Sequence, residues 1–410
     1  MRVLFVCHRL PFPPSRGGKI RPFNIIRHLA ERGDEVTVAS LARSDAEARD
    51  GEGLARHCAD RLIGRVNNWG AMLRMLVRLP TPVPSSMGYF YSRTLEQGVA
   101  RLLEERSYDL VFVHCSSVAQ YVEQATGMRK VLDFGDMDSQ KWLAYRTFKP
   151  FPLSLGYWLE GRKLEHAEAR LARRFDLTTC TTRLEFESLR AIAPECASNW
   201  FPNGVDSDYF APQGADYDPN LICFVGRMDY FPNQQCMFAF CREVLPRLQA
   251  SLPELKLQIV GAQPSTAIRA LARLPGVTVT GSVPDVRPFV RRSALSVVPL
   301  LIARGTQNKI LESMALGVPV IASTQAAGGV DAIADEHLLV ADTPAEVCRR
   351  VLEVVSDPRL RGRLAEAGRA RMLSNHSWPQ SMRRLEKLLE GFRVSSVDKR
   401  DVRDAEAAHG

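Results

Sequence analysis

No Cys-x-x-C pair occurs anywhere in the chain. The nine cysteines are an odd count, scattered, and several sit inside apolar runs such as Leu221-Ile222-Cys223-Phe224-Val225. That pattern excludes a disulfide framework or a cysteine zinc cluster and fits buried free thiols in a reducing compartment. No stretch approaches the roughly 18 uninterrupted apolar residues of a membrane-spanning helix. The opening run Arg2-Val3-Leu4-Phe5-Val6-Cys7 is too short for a signal-peptide core and lacks a small-residue cleavage site. The expectation is a cytoplasmic protein. Two nucleotide fingerprints are missing as well. After the first strand-like run comes His8-Arg9-Leu10-Pro11-Phe12-Pro13-Pro14-Ser15-Arg16-Gly17-Gly18-Lys19, whose glycines arrive too late for the tight GxGxxG turn of dinucleotide enzymes. Gly17-Gly18-Lys19-Ile20 also lacks the upstream glycine and the Ser/Thr of a Walker A loop.

What is present is ordinary for a globular protein. The 410 residues suggest two or three domains, and 45% hydrophobic with 24% charged residues rules out disordered and fibrous classes. Basic residues exceed acidic ones, 54 against 46, giving +8. That excess suits an anionic partner: a phosphorylated substrate, an acidic membrane surface or nucleic acid. No RNA- or DNA-binding module accompanies it.

Short Val/Ile/Leu-rich runs alternate with amphipathic stretches. Strands are expected at Arg2–Cys7, Glu35–Leu41, Asp109–His114, Lys130–Phe134 and Asp176–Cys180. A second series is expected at Leu221–Gly226, Leu255–Gly261, Val277–Gly281, Ala294–Leu300, Val318–Ser323 and Leu338–Ala341. Continuous apolar runs fit parallel strands buried on both faces, with helices such as Gly18–Arg32, Gly305–Leu316 and Pro344–Ser356 between them. The class is α/β, doubly wound. Turn signals at Pro202-Asn203-Gly204 divide the rhythm. The expected layout is a Rossmann-like domain over 1–202, a second over 203–376, a C-terminal helix over 377–394 packing back on the first, and a disordered tail over 395–410. Two such sheets facing each other across a cleft would suit a two-substrate transferase, since ligands of open parallel sheets sit beyond the carboxyl ends of the strands.

Candidate site residues gather at those strand ends. Arg304-Gly305-Thr306-Gln307-Asn308-Lys309-Ile310-Leu311-Glu312 reads as a glycine turn opening a helix, whose N-terminal amides suit phosphate. Lys309 and Glu312 share one helix face, so Lys309 could reach a phosphate while Glu312 accepts from ribose hydroxyls; the plainer alternative is a surface ion pair. Arg227, after Phe224-Val225-Gly226, could grip a diphosphate through its fork of donors or simply pair with Asp229. Gly17-Gly18 at a helix start can bring backbone amides to an anion. His114 ends a strand. Asp133, Asp136 and Asp138, with Ser139, could act as general base, orient acceptor hydroxyls, bind a cation or cap the next helix.

Together Asn203-Gly204-Val205-Asp206, Gly226-Arg227 and Lys309-Ile310-Leu311-Glu312-Ser313-Met314-Ala315-Leu316-Gly317-Val318-Pro319-Val320 resemble GT-B-fold glycosyltransferases of family 4, the group 1 transferases. Asp133–Ser139 with Trp142, and Arg304–Lys309, are similar to sugar transferases of exosortase-linked (PEP-CTERM) exopolysaccharide clusters. The resemblance implies retaining transfer from a nucleoside diphosphate sugar bound by the C-terminal domain, with the acceptor on the N-terminal domain and no essential metal or other cofactor. It implies that Arg227 and Lys309 neutralise the diphosphate, Glu312 holds the ribose, His114 serves the donor sugar or catalysis, and Gly17-Gly18 lie under the donor phosphates. Two departures stand out. The family's second acid, eight residues before the ribose glutamate, is Arg304 here, and the usual base shortly after Gly-Arg is replaced by Phe231-Pro232-Asn233. The acceptor is expected to be polyprenyl-linked or an oligosaccharide. Asn67–Leu79 and Trp142–Lys163 mix aromatics with cations, as in a surface facing anionic lipid on the inner membrane, or in helices packed on their own sheet. A nucleotide-sugar epimerase of the same fold and a non-catalytic nucleotide-sugar-binding partner are the competing readings.

Overall fold

The apolar runs become two parallel sheets in a computed structural model, which describes residues 1–14, 17–214 and 216–390. The first sheet holds β1 (Arg2–Cys7), β2 (Glu35–Ala42), β3 (Asp60–Arg65), β4 (Leu110–His114), β5 (Arg129–Gly135), β6 (Leu177–Cys180) and β7 (Ser198–Trp200). The second holds β8 (Asp218–Val225), β9 (Lys256–Val260), β10 (Val277–Gly281), β11 (Ser293–Val298), β12 (Val320–Ala322) and β13 (Leu339–Val340). Their orders are β3-β2-β1-β4-β5-β6-β7 and β10-β9-β8-β11-β12-β13. Each order reverses once, between β1 and β4 and between β8 and β11, and crevices for ligands form at such switch points.

The central strands are buried because both faces carry helices. Leu4, Val6, Val111, Val113 and Leu132 belong to one apolar core, and Phe224, Leu257, Leu295, Val297 and Leu311 to another. Each such side chain contributes about 1.5–3 kcal/mol when withdrawn from water. The chain divides into two compact units, one of residues 1–201 with the described residues from Met382, the other Pro202–Ser381. All nine cysteines are free thiols. No helix among the described residues is long and apolar enough to cross a membrane.

Two local expectations need correction, the start of one helix and the set of strands. The helix expected from Gly305 starts at Asn308, because Gly305 takes a left-handed conformation (φ 63°) that ends the preceding loop. The stretch Trp142–Lys163 spans parts of two helices, Asp138–Arg146 and Leu153–Arg174, joined through 147–152. Edge strands β3 and β7 are additional to the expected set. The C-terminal helix runs through 378–390; its expected end and the polar 395–410 segment lie outside the described residues.

Candidate active site

At the switch point of the first unit, Cys7 of β1 pairs with His114 of β4, so the residues leaving both strands meet. The rings of His8 and His114 are 5.7 Å apart. His114 Nδ1 lies 2.7 Å from Asp133 Oδ2. With Nδ1–H assigned to that bond, Nε2 is the nitrogen left for a ligand. Asp133 is fully buried on β5 and accepts two 2.8 Å bonds from Arg21 and one of 2.9 Å from Thr179. Burial alone would raise its carboxyl, but the Arg21 charge and these hydrogen bonds hold it well below the usual carboxylate range. Arg21 also donates to the Phe201 carbonyl and stacks on the Phe201 ring at 3.7 Å. Asp133 is thus enclosed by donors, and its bond to Nδ1 fixes the orientation of the His114 ring.

His8 was not singled out by the sequence, yet it sits at the centre of this strand end. Burial, then the charges of His114, Arg9, Lys141 and Arg43, keep its ring well below the ordinary histidine value, hence neutral. The helix Gly17–Glu31 starts against it: a Cβ added at Gly18 would lie 3.4 Å from the Arg9 side chain and 3.9 Å from His8 Nε2. Beside these residues opens a cavity of about 330 Å³ lined by His8, Arg9, Met75, Tyr89, Asp138 and Trp142, among others. Burial pushes the Asp138 carboxyl up against the opposing charge of Lys141. Asp136 accepts from Thr181 Oγ1 at 2.8 Å, and Asp138 from the Cys115 thiol at 3.8 Å. Ser139 is fully buried, its amide given to Glu168, and it is not part of the cavity wall. Among the described residues no group of three or more His, Cys, Asp or Glu side chains is arranged to hold a metal ion.

In the second unit, Gly226 and Arg227 leave β8, while Lys309 and Glu312 lie on the helix Asn308–Ala315 that follows β11. A Cβ at Gly226 would fall 2.7 Å from Asn233 Nδ2 and 3.0 Å from Lys309 Nζ, so glycine makes room for both. Lys309 Nζ donates to Asn233 Oδ1 at 2.7 Å and stands 4.4 Å over the Phe224 ring. Asn233 Nδ2 in turn donates to the Arg227 carbonyl at 2.8 Å. Asn233 therefore couples the two cationic residues, a role that depends on a partner 76 positions later in the chain. Burial lowers the Lys309 amine to about 8, opposed by Cys236 and Glu312. Burial likewise raises Glu312 to about 7, opposed by Lys309.

Arg227 is held by Asp229 through bonds of 3.0 and 2.6 Å and by Gln263 at 2.6 Å, with its side chain 40% exposed. The ion pair with Asp229 is therefore real, and its solvent exposure leaves it weak enough to be exchanged for a phosphate. The carbonyl of Arg304 accepts from Gln307 Nε2 at 3.2 Å. The Gly305 loop abuts the next one so closely that a Cβ at Gly329 would sit 2.1 Å from the Gly305 carbonyl oxygen. Thr306 Oγ1 and Asn308 Oδ1 are buried there without a hydrogen-bond partner among the described residues. Unmet polar atoms at a helix's first turn, where the first amides also lack intrahelical partners, mark a place built for a polar ligand.

Comparison with known proteins bears on these two sites. Residues 16–209 match the description "Glycosyltransferase Family 4", and residues 219–357 match "Glycosyl transferases group 1". A GDP-mannose-dependent alpha-(1-6)-phosphatidylinositol monomannoside mannosyltransferase of Mycolicibacterium smegmatis is 27% identical over 241 residues, 52% of this chain. The match spans 60% of that relative's length. Sucrose-phosphate synthase from Thermosynechococcus elongatus superposes with a TM-score of 0.71 at 16% identity, covering 96% of this chain and 100% of the other. Anabaena HepE in complex with UDP gives 0.69 at 14% identity, covering 95% and 100%. At such identities the structural likeness is one of fold. The chain carries a glycosyltransferase family 4 domain over 16–209 followed by a group 1 glycosyltransferase domain over 219–357, on the GT-B fold.

Proposed function

We propose that the protein transfers a hexose from a nucleoside diphosphate sugar, held by the second unit, to a hydroxyl of a lipid-linked or growing polysaccharide acceptor held by the first. The observation that carries this reading is the placement of Lys309 over Phe224, beside Gly226 and tied through Asn233 to Arg227, at the switch point of the second sheet. Breaking the anomeric C–O bond leaves negative charge on the departing diphosphate. Lys309, Arg227 and the amides opening the helix Asn308–Ala315 stabilise that charge where it develops. No hydrogen bond from a described residue reaches the Glu312 carboxylate, which suits it to ribose hydroxyls. His114, fixed by Asp133, serves the sugar side.

Retention of anomeric configuration is what the resemblance to family 4 implies, and the enclosure of Asp133 among its donors leaves the carboxylate beside His114 unsuited to serve as the covalent nucleophile of a double displacement. The UDP bound by the HepE structure and the GDP-mannose named for the mycobacterial relative support a nucleoside diphosphate sugar as donor. That relative's phosphatidylinositol acceptor supports a lipid-borne acceptor and peripheral attachment to the inner membrane. The resemblance of Asp133–Ser139 to exosortase-linked transferases supports a place in exopolysaccharide synthesis.

The test is a thermal-shift panel of UDP, GDP, ADP and TDP, free and sugar-linked. At a hundredfold excess over Kd the correct ligand stabilises the protein by ~2.7 kcal/mol. Absence of a shift with every member of the panel would overturn the reading.

A further inference from the structure

The helix Asn68–Arg78 buries only Ala71. Most of its other apolar residues face solvent: Trp69 is 82% exposed, Val77 65%, Leu73 64% and Leu76 60%, with Met72 and, just past the helix end, Leu79 also open. A second exposed apolar group, Phe151 at 80% with Leu153, Leu155, Trp158 and Leu159, lies at the start of the helix Leu153–Arg174. The two groups are tied together. Lys163 Nζ donates to the carbonyls of Arg78 and Leu79, and the Glu160 carboxylate accepts from the amides of Ser85 and Ser86. A soluble monomer rarely leaves an apolar patch of this extent uncovered.

Charge identifies what covers it. Residues 61–95 contain no Asp or Glu but five arginines: Arg61, Arg65, Arg74, Arg78 and Arg93. Residues 139–159 also contain no acid, while Lys141, Arg146 and Lys149 are present. Arg65 pairs with Asp45 at 2.9 Å, while within these two segments aromatic and aliphatic side chains stand among cations with no acid of their own, a composition that matches an anionic lipid surface. A protein partner would ordinarily be met by charges of both signs. The same helix also turns Met75 inward to line the cavity that holds His8 and Asp138.

We infer that Asn68–Leu79 and Phe151–Leu159 form one bilayer-docking face for anionic phospholipid. The neighbouring cavity then receives the polar head of an amphiphilic acceptor whose hydrocarbon stays in the membrane. This rests on the transferase reading for the acceptor's role, but the docking itself does not.

The experiment is co-sedimentation of the full chain with vesicles of phosphatidylcholine and phosphatidylglycerol in equal parts, against phosphatidylcholine alone. The chain is expected to partition onto the anionic vesicles, and less as salt is added. The triple variant Trp69→Glu, Leu73→Glu, Phe151→Glu should lose at least about tenfold in partitioning. Its nucleotide-induced thermal shift should stay unchanged, which shows that it is folded. Equal sedimentation of variant and parent, no sedimentation of the parent, or a stable dimer that the triple variant abolishes would each overturn the inference. Vesicle binding without any nucleotide shift would instead sink the transferase reading and leave the docking face standing.

Discussion

Lys309 and Glu312 titrate close to neutrality in opposite senses, and this shapes what the donor site can hold. The Lys309 amine, brought down from 10.5 to about 8 by burial, loses its proton as pH rises past that value. Glu312, lifted from 4.5 to about 7, loses its negative charge as pH falls below it. Nucleoside diphosphate affinity should therefore peak between these values and decline on both sides; calorimetric titration from pH 6 to 9 checks this, and a flat profile would count against it. Lys309→Ala should slow sugar transfer by about a hundredfold, ~3 kcal/mol of transition-state stabilisation, measured by initial rates. Asn233→Ala should move the alkaline limb to lower pH, because the amide oxygen favours the charged amine. On the other unit, Asp133→Asn strands the Arg21 guanidinium, only 2% exposed, and should cost about 3 kcal/mol in urea unfolding. The pairing of Lys309 with Glu312 was visible in the sequence, but the partners of Asp133 and Asn233 were not. Asp133 looked like an open carboxylate because Arg21 lies 112 positions earlier, and Asn233 looked like the loss of a base when it is the partner of one.

Buried glutamates hold the starts of two helices, Ser85–Tyr89 through Glu160 and Asp138–Arg146 through Glu168 and Glu185. Glu168, fully buried on Leu153–Arg174, accepts the Ser139 amide at the start of Asp138–Arg146, and burial raises its carboxyl from 4.5 to about 8. Its folded form binds a proton more tightly than its unfolded form, so its contribution is complete below about pH 4.5 and disappears as pH rises through 8. Glu168→Gln should flatten the alkaline fall in melting temperature relative to the parent, as scanning calorimetry at pH 6 and 9 would show. The elements themselves were largely legible. Central strands such as Leu110–His114 are unbroken apolar runs because both faces are covered. β3, reading Asp-Arg-Leu-Ile-Gly-Arg, escaped notice because an edge strand with one wet face carries no such run. The start of the Lys309 helix was misplaced by three residues, since only the backbone reveals that Gly305 adopts φ 63°. Asn67–Leu79 had an amphipathic pattern, yet pattern alone does not say whether the apolar side meets a sheet or water.

Across the whole molecule, the two surfaces predicted to bind different things should respond separately. In hydrogen exchange, donor nucleotide should protect 226–234 and 305–313, and anionic vesicles should protect 68–83 and 151–159. Protection of the same segments by both would show that the assignment of surfaces is mistaken. The path of the backbone also matters here. It departs the first unit at Phe201, completes the second, and comes home at Met382, where Leu385 and Leu389 are buried and His28 meets Glu386 at 3.1 Å. The second unit is thus a guest within its host's reading frame, and the ribosome delivers the host's closing helix only after the guest has emerged. A gene cut once, after residue 201, yields a host with an unsealed apolar flank. Splicing residue 201 to 382 through a short linker should restore its solubility.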